Sequence, residues 1–375
     1  MGQKAFKVIT EHSSAQSPHG SIANRSLISP GLDMFLIGGG SLVLLALMSV
    51  MLRGESPDSS LGWFVFNLSF IVNFPHFLVS YQLLYGDFGS RVWKEPRFFW
   101  AAVVVPLLLV GVLGFGFLSG DPSVLGYLAN SLYFFVGWHY VKQIFGGISV
   151  TNANQGFFFD CQERSALKWN LFSLWAISFL VPNIGVANFS QDGIPYSSFN
   201  LPAWTLSAAY SSLVTSGVAL LYLVVRKYIR EGRWPAPAAI ICFATIYAWY
   251  LPALKHPMFM HTIPFFHSLQ YLMFVYAFRR NKVDASIENQ DSPEGRQKKV
   301  FGLYGYLALS AVTGGTLMFY LPRFLDSLGS YDLNTFGPTP AYFAFIIFIN
   351  IHHYFIDNVI WRGNNPEMKK YLFRA

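Results

Sequence analysis

The chain reads as an all-α, polytopic membrane protein of about ten transmembrane helices with both termini cytoplasmic. Three observations predict this. Of 375 residues, 53% are hydrophobic and only 12% charged, about half the charged share of an ordinary soluble domain. The apolar residues gather into ten runs, each long enough to cross roughly 30 Å of hydrocarbon as a helix. Lys and Arg concentrate on alternate connections between those runs, as the positive-inside rule requires. Mean hydropathy is +0.38.

Taken in order, residues 1–30 form a polar cytoplasmic tail without the apolar core of a signal peptide, and His12 and His19 within it read as solvated. A single transmembrane domain then occupies 31–362, with runs at 32–52, 61–86, 98–119, 122–148, 166–187, 203–225, 235–254, 258–278, 301–321 and 340–361. Internal Gly and Pro are tolerated in such helices because neighbouring helices satisfy the freed backbone groups. The polar stretch VPNIGVANFSQDGIPYSSFNLP links the fifth run to the sixth. Residues 281–300 read as a charged cytoplasmic linker and 363–375 as a C-terminal tail.

Of the 26 Lys and Arg, 22 fall on the tails and on alternate connections. Arg53, Lys255 and Arg323 fall on the opposite side, and Lys142 lies near the end of the fourth run. The net charge of +7 is thereby accounted for by a cytoplasmic rim, and no nucleic-acid partner is implied. The two cysteines, Cys161 and Cys242, have no spacing that suggests a disulfide framework or a thiolate metal site.

Histidine recurs on the even-numbered runs: His76, His139, His267, and the doublet His352–His353 followed by Asp357. Such residues at membrane depth cost several kcal/mol unless they are paired or bind something. His76 lies 11 residues before Asp87, His267 lies 12 before Arg279, and His352 lies 10 before Arg362. At about 1.5 Å rise per residue, the three differ in depth by only about 3 Å. His139 falls in the same cytoplasmic half. This places His76, His139, His267 and His352 as ligands of one intramembrane metal ion. His353 and Asp357, an i, i+4 pair, share a helix face, so His353, Asp357 and Tyr271 stand as alternative ligands or as supports behind them. His256 reads as an interfacial residue, and His261 as one that approaches the site only if Pro264 bends its helix. Gln270 and Gln143 are placed facing oxygen or substrate, although packing is the simpler explanation of both.

Neutral imidazoles without thiolates suit Fe(II), Zn or Cu. Four histidines on ferrous iron leave positions open for dioxygen, and an apolar site favours a lipid-soluble substrate. The expectation is a membrane non-haem iron oxygenase acting on an isoprenoid lipid. Two readings from other classes stand beside it. One is a haem b electron carrier with paired axial histidines; the other is a transporter with polar residues at the bilayer midplane.

Short patches in order along the chain resemble the Brp/Blh family of bacterial membrane β-carotene dioxygenases. They are Pro75-His76, His139-Tyr140, His267-Ser268 after Ala248-Trp249-Tyr250, and His352 through Asp357 ahead of Trp361-Arg362. The resemblance implies iron, dioxygen, a carotenoid or apocarotenoid substrate and a bacterial cytoplasmic membrane. It also selects His352 over His353, because the family pattern sets its histidine five residues before the aspartate. The chain departs from the family at Tyr271, where a second histidine is expected, and at Gln82 and Gln143, near which the family has acidic residues. That implies a substrate altered from β-carotene.

Overall fold

The computed structural model describes residues 25–51, 60–185, 190–191, 193–253, 258–287, 293–329 and 332–373. Each of the ten apolar runs falls on a long helix. Helix α1 comprises Pro30–Met34, a π turn at Phe35–Gly39, and Gly40–Met51. Helix α2 is Ser60–Tyr81, extended by a π turn at Gln82–Asp87. Helix α3 joins Pro96–Phe99, a π turn at Trp100–Val104, and Val105–Ser119. The others are α4 (Pro122–Asn154), α5 (Cys161–Leu180), α6 (Trp204–Glu231), α7 (Pro237–Ala253), α8 (Met258–Ile287), α9 (Pro293–Leu328) and α10 (Pro340–Ile360). Strand structure among the described residues is limited to β1 (Ser190–Gln191) against β2 (Ile194–Pro195), which are antiparallel.

Among the described residues, four helices are long and apolar enough to cross a membrane: Pro30–Val50, Pro96–Ser119, Trp204–Glu231 and Asn334–Ile360, with Pro237–Leu251 apolar but shorter.

Local chemistry sets the helix ends. Helix α4 starts where the Asp121 side chain accepts from Ser123 N, with Pro122 as first helical residue. Helix α5 starts with a capping box, Asp160 accepting from the Glu163 backbone while Glu163 reaches back to Asp160 N. Helices α3 and α6 stop at Gly120 and Gly232, both left-handed (φ 67° and 66°), a conformation that costs glycine nothing. Here α5 begins and ends earlier than the run 166–187 implied, because Asp160 and Glu163 recruit a polar first turn.

The stretch 281–300, read as a charged cytoplasmic linker, is largely helical. Helix α8 continues to Ile287 and α9 begins at Pro293, so most of that stretch is helix. Arg280 and Asp284 form an i, i+4 ion pair on α8, and Lys299 Nζ reaches back to Ser286 O. A helix leaving the apolar layer keeps its backbone bonds in water, so loss of hydropathy does not mark its end. The C-terminal segment likewise folds back. Pro366–Met368 and Lys369–Phe373 are helical turns, Met368 and Leu372 are buried, and Asn281 donates to Tyr371 O. Of the N-terminal tail, residues 1–24, with His12 and His19, lie outside the described residues, as does His256; Asp33 pins residues 27 and 28 through their backbone N–H groups.

Helix α2 packs on α8 and α9, α4 packs on α5, α7 and α10, and α10 also touches α2, α3 and α9. Helices α5 and α6 pair as a peripheral hairpin, pinned by a buried ion pair between Glu163 and Lys227 (2.8 Å). Helix α9 crosses α2 closely at a glycine. A Cβ on Gly314 would stand 2.9 Å from Phe74 O, beside the Pro75 that interrupts α2 just before His76.

A candidate metal centre on four helices

Helices α2, α4, α8 and α10 each bring one histidine to a common point. One ring nitrogen from each of His76, His139, His267 and His353 lies within 4.8 Å of the other three. All four side chains are buried. Nitrogens placed tetrahedrally at about 2.1 Å from one ion stand about 3.4 Å apart. His139 Nε2 and His267 Nε2 are 3.2 Å apart, which matches that spacing, while the four nitrogens as a set lie within 4.8 Å, so a shared ion would draw the others inward.

The unmet hydrogen-bonding capacity points the same way. His76 Nε2, His267 Nδ1 and both ring nitrogens of His353 are buried with no hydrogen-bond partner. A polar atom left so costs about 1–3 kcal/mol. Evolution tolerates several together where something else binds them, and the donor set, all neutral imidazole nitrogen, fits a divalent transition metal.

Groups behind the histidines hold them in place. His76 Nδ1 lies 3.1 Å from Asn73 O and 3.2 Å from both Asn73 Oδ1 and Ser268 Oγ, which leaves Nε2 to face the cluster. His139 stacks on Tyr354 at 4.5 Å between ring centroids, and His267 lies against Tyr140 at the same separation. Asp357 stands at the edge of the group. Its Oδ1 accepts from Ser80 (3.2 Å) and Tyr271 (3.0 Å), and Trp361 Nε1 donates to the Tyr271 hydroxyl (3.1 Å). Its Oδ2 is buried, has no hydrogen bond, and lies 3.3 Å from His353 Nε2 and 3.8 Å from His139 Nε2. A carboxylate beside ligand imidazoles is the usual device for fixing their orientation.

His352 does not join the group; the α10 histidine that does is His353, which in the sequence stands as the alternative to it. Successive residues on a helix point about 100° apart, and α10 turns His352 toward α2 and α3. There His352 Nδ1 meets Tyr81 OH (2.8 Å) and Nε2 meets Ala101 O (2.9 Å). Ala101 lies in the π turn of α3. With both nitrogens occupied, His352 is a packing residue.

Tyr271 contributes its ring edge to His76 (4.6 Å between centroids) and its hydroxyl to Asp357, not to the cluster. The amide nitrogens of Gln270 and Gln143 are both bound within the protein, while Gln143 Oε1 is buried with no hydrogen-bond partner. Gln270 Nε2 donates to Ile37 O and Cys242 Sγ, bracing the π turn of α1, where Gly38 has φ 155°. Gln143 Nε2 donates to His267 O (3.0 Å) and Gln270 Oε1 (2.7 Å). The side chain of His261 lies outside the described residues. Asn73 and Ser80 were missed from the sequence although the signal was present: they sit at i−3 and i+4 from His76, on its own helix face. Ser268 carried no such signal.

Fold and site together define a class: an almost wholly helical chain with membrane-like apolar helices and a buried four-histidine group able to hold a metal ion. Beyond that class, the chain matches no protein-family model, no curated protein and no solved structure.

Proposed function

We propose that the chain crosses a bacterial cytoplasmic membrane ten times, with both termini in the cytoplasm, and is a non-haem iron(II) oxygenase of a carotenoid, apocarotenoid or other isoprenoid lipid. The observation that carries the metal reading is the convergence of four imidazoles with unmet nitrogens on one buried point. The resemblance to the Brp/Blh family, through Pro75-His76, His139-Tyr140, His267-Ser268 and the segment from His352 to Asp357, supports iron and an isoprenoid substrate. The replacement of the family's histidine by Tyr271 supports a substrate other than β-carotene. Ten helices on ten apolar runs, with 22 of 26 Lys and Arg on alternate connections, support the topology.

In this reading His76, His139, His267 and His353 hold the ion, which when bound supplies activation of dioxygen. The chain's own residues do the rest. Asp357, itself fixed by Ser80 and Tyr271, orients His353. Phe77, with its ring 5.1 Å from that of His353, and Tyr354 and Tyr140 keep water away from the imidazoles. A haem is disfavoured, because two imidazoles would take its axial positions while the other two occupied the plane of the macrocycle.

Anaerobic purification in detergent with ferrous iron tests the first half: one iron per chain is expected, and none bound would end this reading. Incubation of the iron-loaded protein with carotenoids and apocarotenoids in air, followed by chromatography and mass spectrometry, tests the second. Substrate-dependent oxygen uptake with oxygenated products is expected.

A further inference from the structure

Outside the histidine group, α4 and α10 carry a second matched arrangement. Phe135, Trp138 and Lys142 follow one another at i, i+3 and i+7 on α4. Phe355, Asn358 and Arg362 do the same along α10 and just past its end. All six are half-buried. The rings of Phe135 and Phe355 lie 5.3 Å apart and those of Trp138 and Phe355 6.4 Å apart. The strip therefore runs from aromatic rings to two cations.

The cations meet on one neutral residue. Lys142 Nζ donates to Asn358 Oδ1 and lies 4.3 Å from the Trp138 ring centroid, and Arg362 Nε donates to Asn358 O (2.9 Å). Lys168 lies within electrostatic reach of Lys142, and Arg97 within reach of Arg362. Of the nearby carboxylates, Glu95 is bound by Arg91, and Asp357 has Oδ1 held by Ser80 and Tyr271 and Oδ2 turned toward His353. Among the described residues no carboxylate forms an ion pair with Lys142 or Arg362. Two partly desolvated like charges drawn to one asparagine are costly unless an anion joins them.

We propose that this strip binds a lipid-like amphiphile with one anionic head, phosphate or carboxylate. The head lies on Lys142 and Arg362, and the apolar chain lies along Trp138, Phe355 and Phe135. The strip uses none of the four histidines, so the proposal stands whether or not a metal binds. Its two sources are a free long-chain acid and an anionic phospholipid, and they share this chemistry.

The test is quenching of tryptophan fluorescence in the full detergent-solubilised chain by brominated lipids, with the Trp138→Phe variant subtracted to isolate the Trp138 signal. The probes are dibromostearic acid, dibromo-phosphatidylglycerol and, as the neutral control, dibromo-phosphatidylcholine. At least one anionic probe is expected to quench at concentrations at least tenfold below the neutral one. Preference for the acid alone identifies a free acid, and preference for the phospholipid alone a resident lipid. Lys142→Gln with Arg362→Gln should erase the preference, and Lys142→Arg should keep it, with helicity by circular dichroism equal to the parent's. If the double variant fails that check, Lys142→Gln alone is read, with at least a threefold weakening expected. Equal quenching by neutral and anionic probes, or an anionic preference surviving in a folded charge-neutral variant, would overturn the proposal.

Discussion

His353 Nε2 and Asp357 Oδ2 face each other at 3.3 Å across one turn of α10, while Asp357 Oδ1 is taken by Ser80 and Tyr271. The carboxylate therefore has one oxygen anchored and one aimed at the histidine group. That division of labour makes His353, not its neighbour, the member of the site contributed by α10.

Replacing His353 by Ala should empty the site, whereas His352→Ala should keep one metal per chain by elemental analysis. The His352 variant loses stability instead, by about 1–3 kcal/mol, because Tyr81 OH and Ala101 O are left unsatisfied. Retention of full metal by His353→Ala would move the site away from α10.

Substitutions behind the ligands should weaken metal binding without abolishing it. Asn73→Ala and Asp357→Asn are each expected to lower affinity about 10–100-fold in competition with a chelator. Loss of any one of His76, His139 or His267 should exceed that range. Equal effects from both groups would mean that the four histidines act as packing, not as ligands.

Tyr271→Phe removes one of the two donors to Asp357 Oδ1 and the acceptor of the Trp361 N–H. We expect a loss of about 1–3 kcal/mol in stability with metal stoichiometry unchanged. A Tyr271→Phe protein that no longer binds metal would place the phenol itself in the coordination sphere.

Gly314→Ala tests the α2–α9 crossing. The added methyl would stand 2.9 Å from Phe74 O and force the helices apart at the Pro75 break. A loss of about 1–3 kcal/mol is expected, with metal affinity lowered through His76. A neutral effect would show that α9 yields without moving α2.

At the water-facing start of α5, backbone N–H groups of Glu163 and Gln162 hold the Asp160 carboxyl below its ordinary value. Because its folded value is depressed, the cap stabilises above the unfolded carboxylate range near pH 4 and is lost as pH falls through the folded value. Asp160→Ala should cost about 0.5–2 kcal/mol at neutral pH, and this difference should vanish on acidification in detergent-based denaturation. Asp160→Asn should cost less and remove the pH dependence.

The apolar runs were legible because hydropathy and helix length are one-dimensional properties. So was the grouping of His76, His139 and His267: residue counts to charged boundaries set His76 and His267 at one level, and His139 fell in the same half. Which member of the His352–His353 doublet faces inward was not. A one-residue choice is a 100° rotation, and that is fixed by Tyr81 and the carbonyl of Ala101, neither of which depth or periodicity reveals. Gln270 misled for a related reason. It shares a helix face with His267 and Tyr271, but the break at Gly38 puts the Ile37 carbonyl within its reach. The charged stretch 281–300 shows that loss of hydropathy does not mark a helix end, since α8 runs on to Ile287 and α9 starts at Pro293.

The histidine group takes one residue from α2, one from α4, one from α8 and one from α10. A chain emerging from the ribosome therefore offers one imidazole, then two, then three, and the fourth only when nearly all of its long helices have been made. Synthesis order thus acts as a clock on the site: a chain halted before α10 presents an incomplete set of donors, so capture of an ion by all four would wait for the last step of assembly. In this architecture a bound ion would certify that the whole bundle has been built.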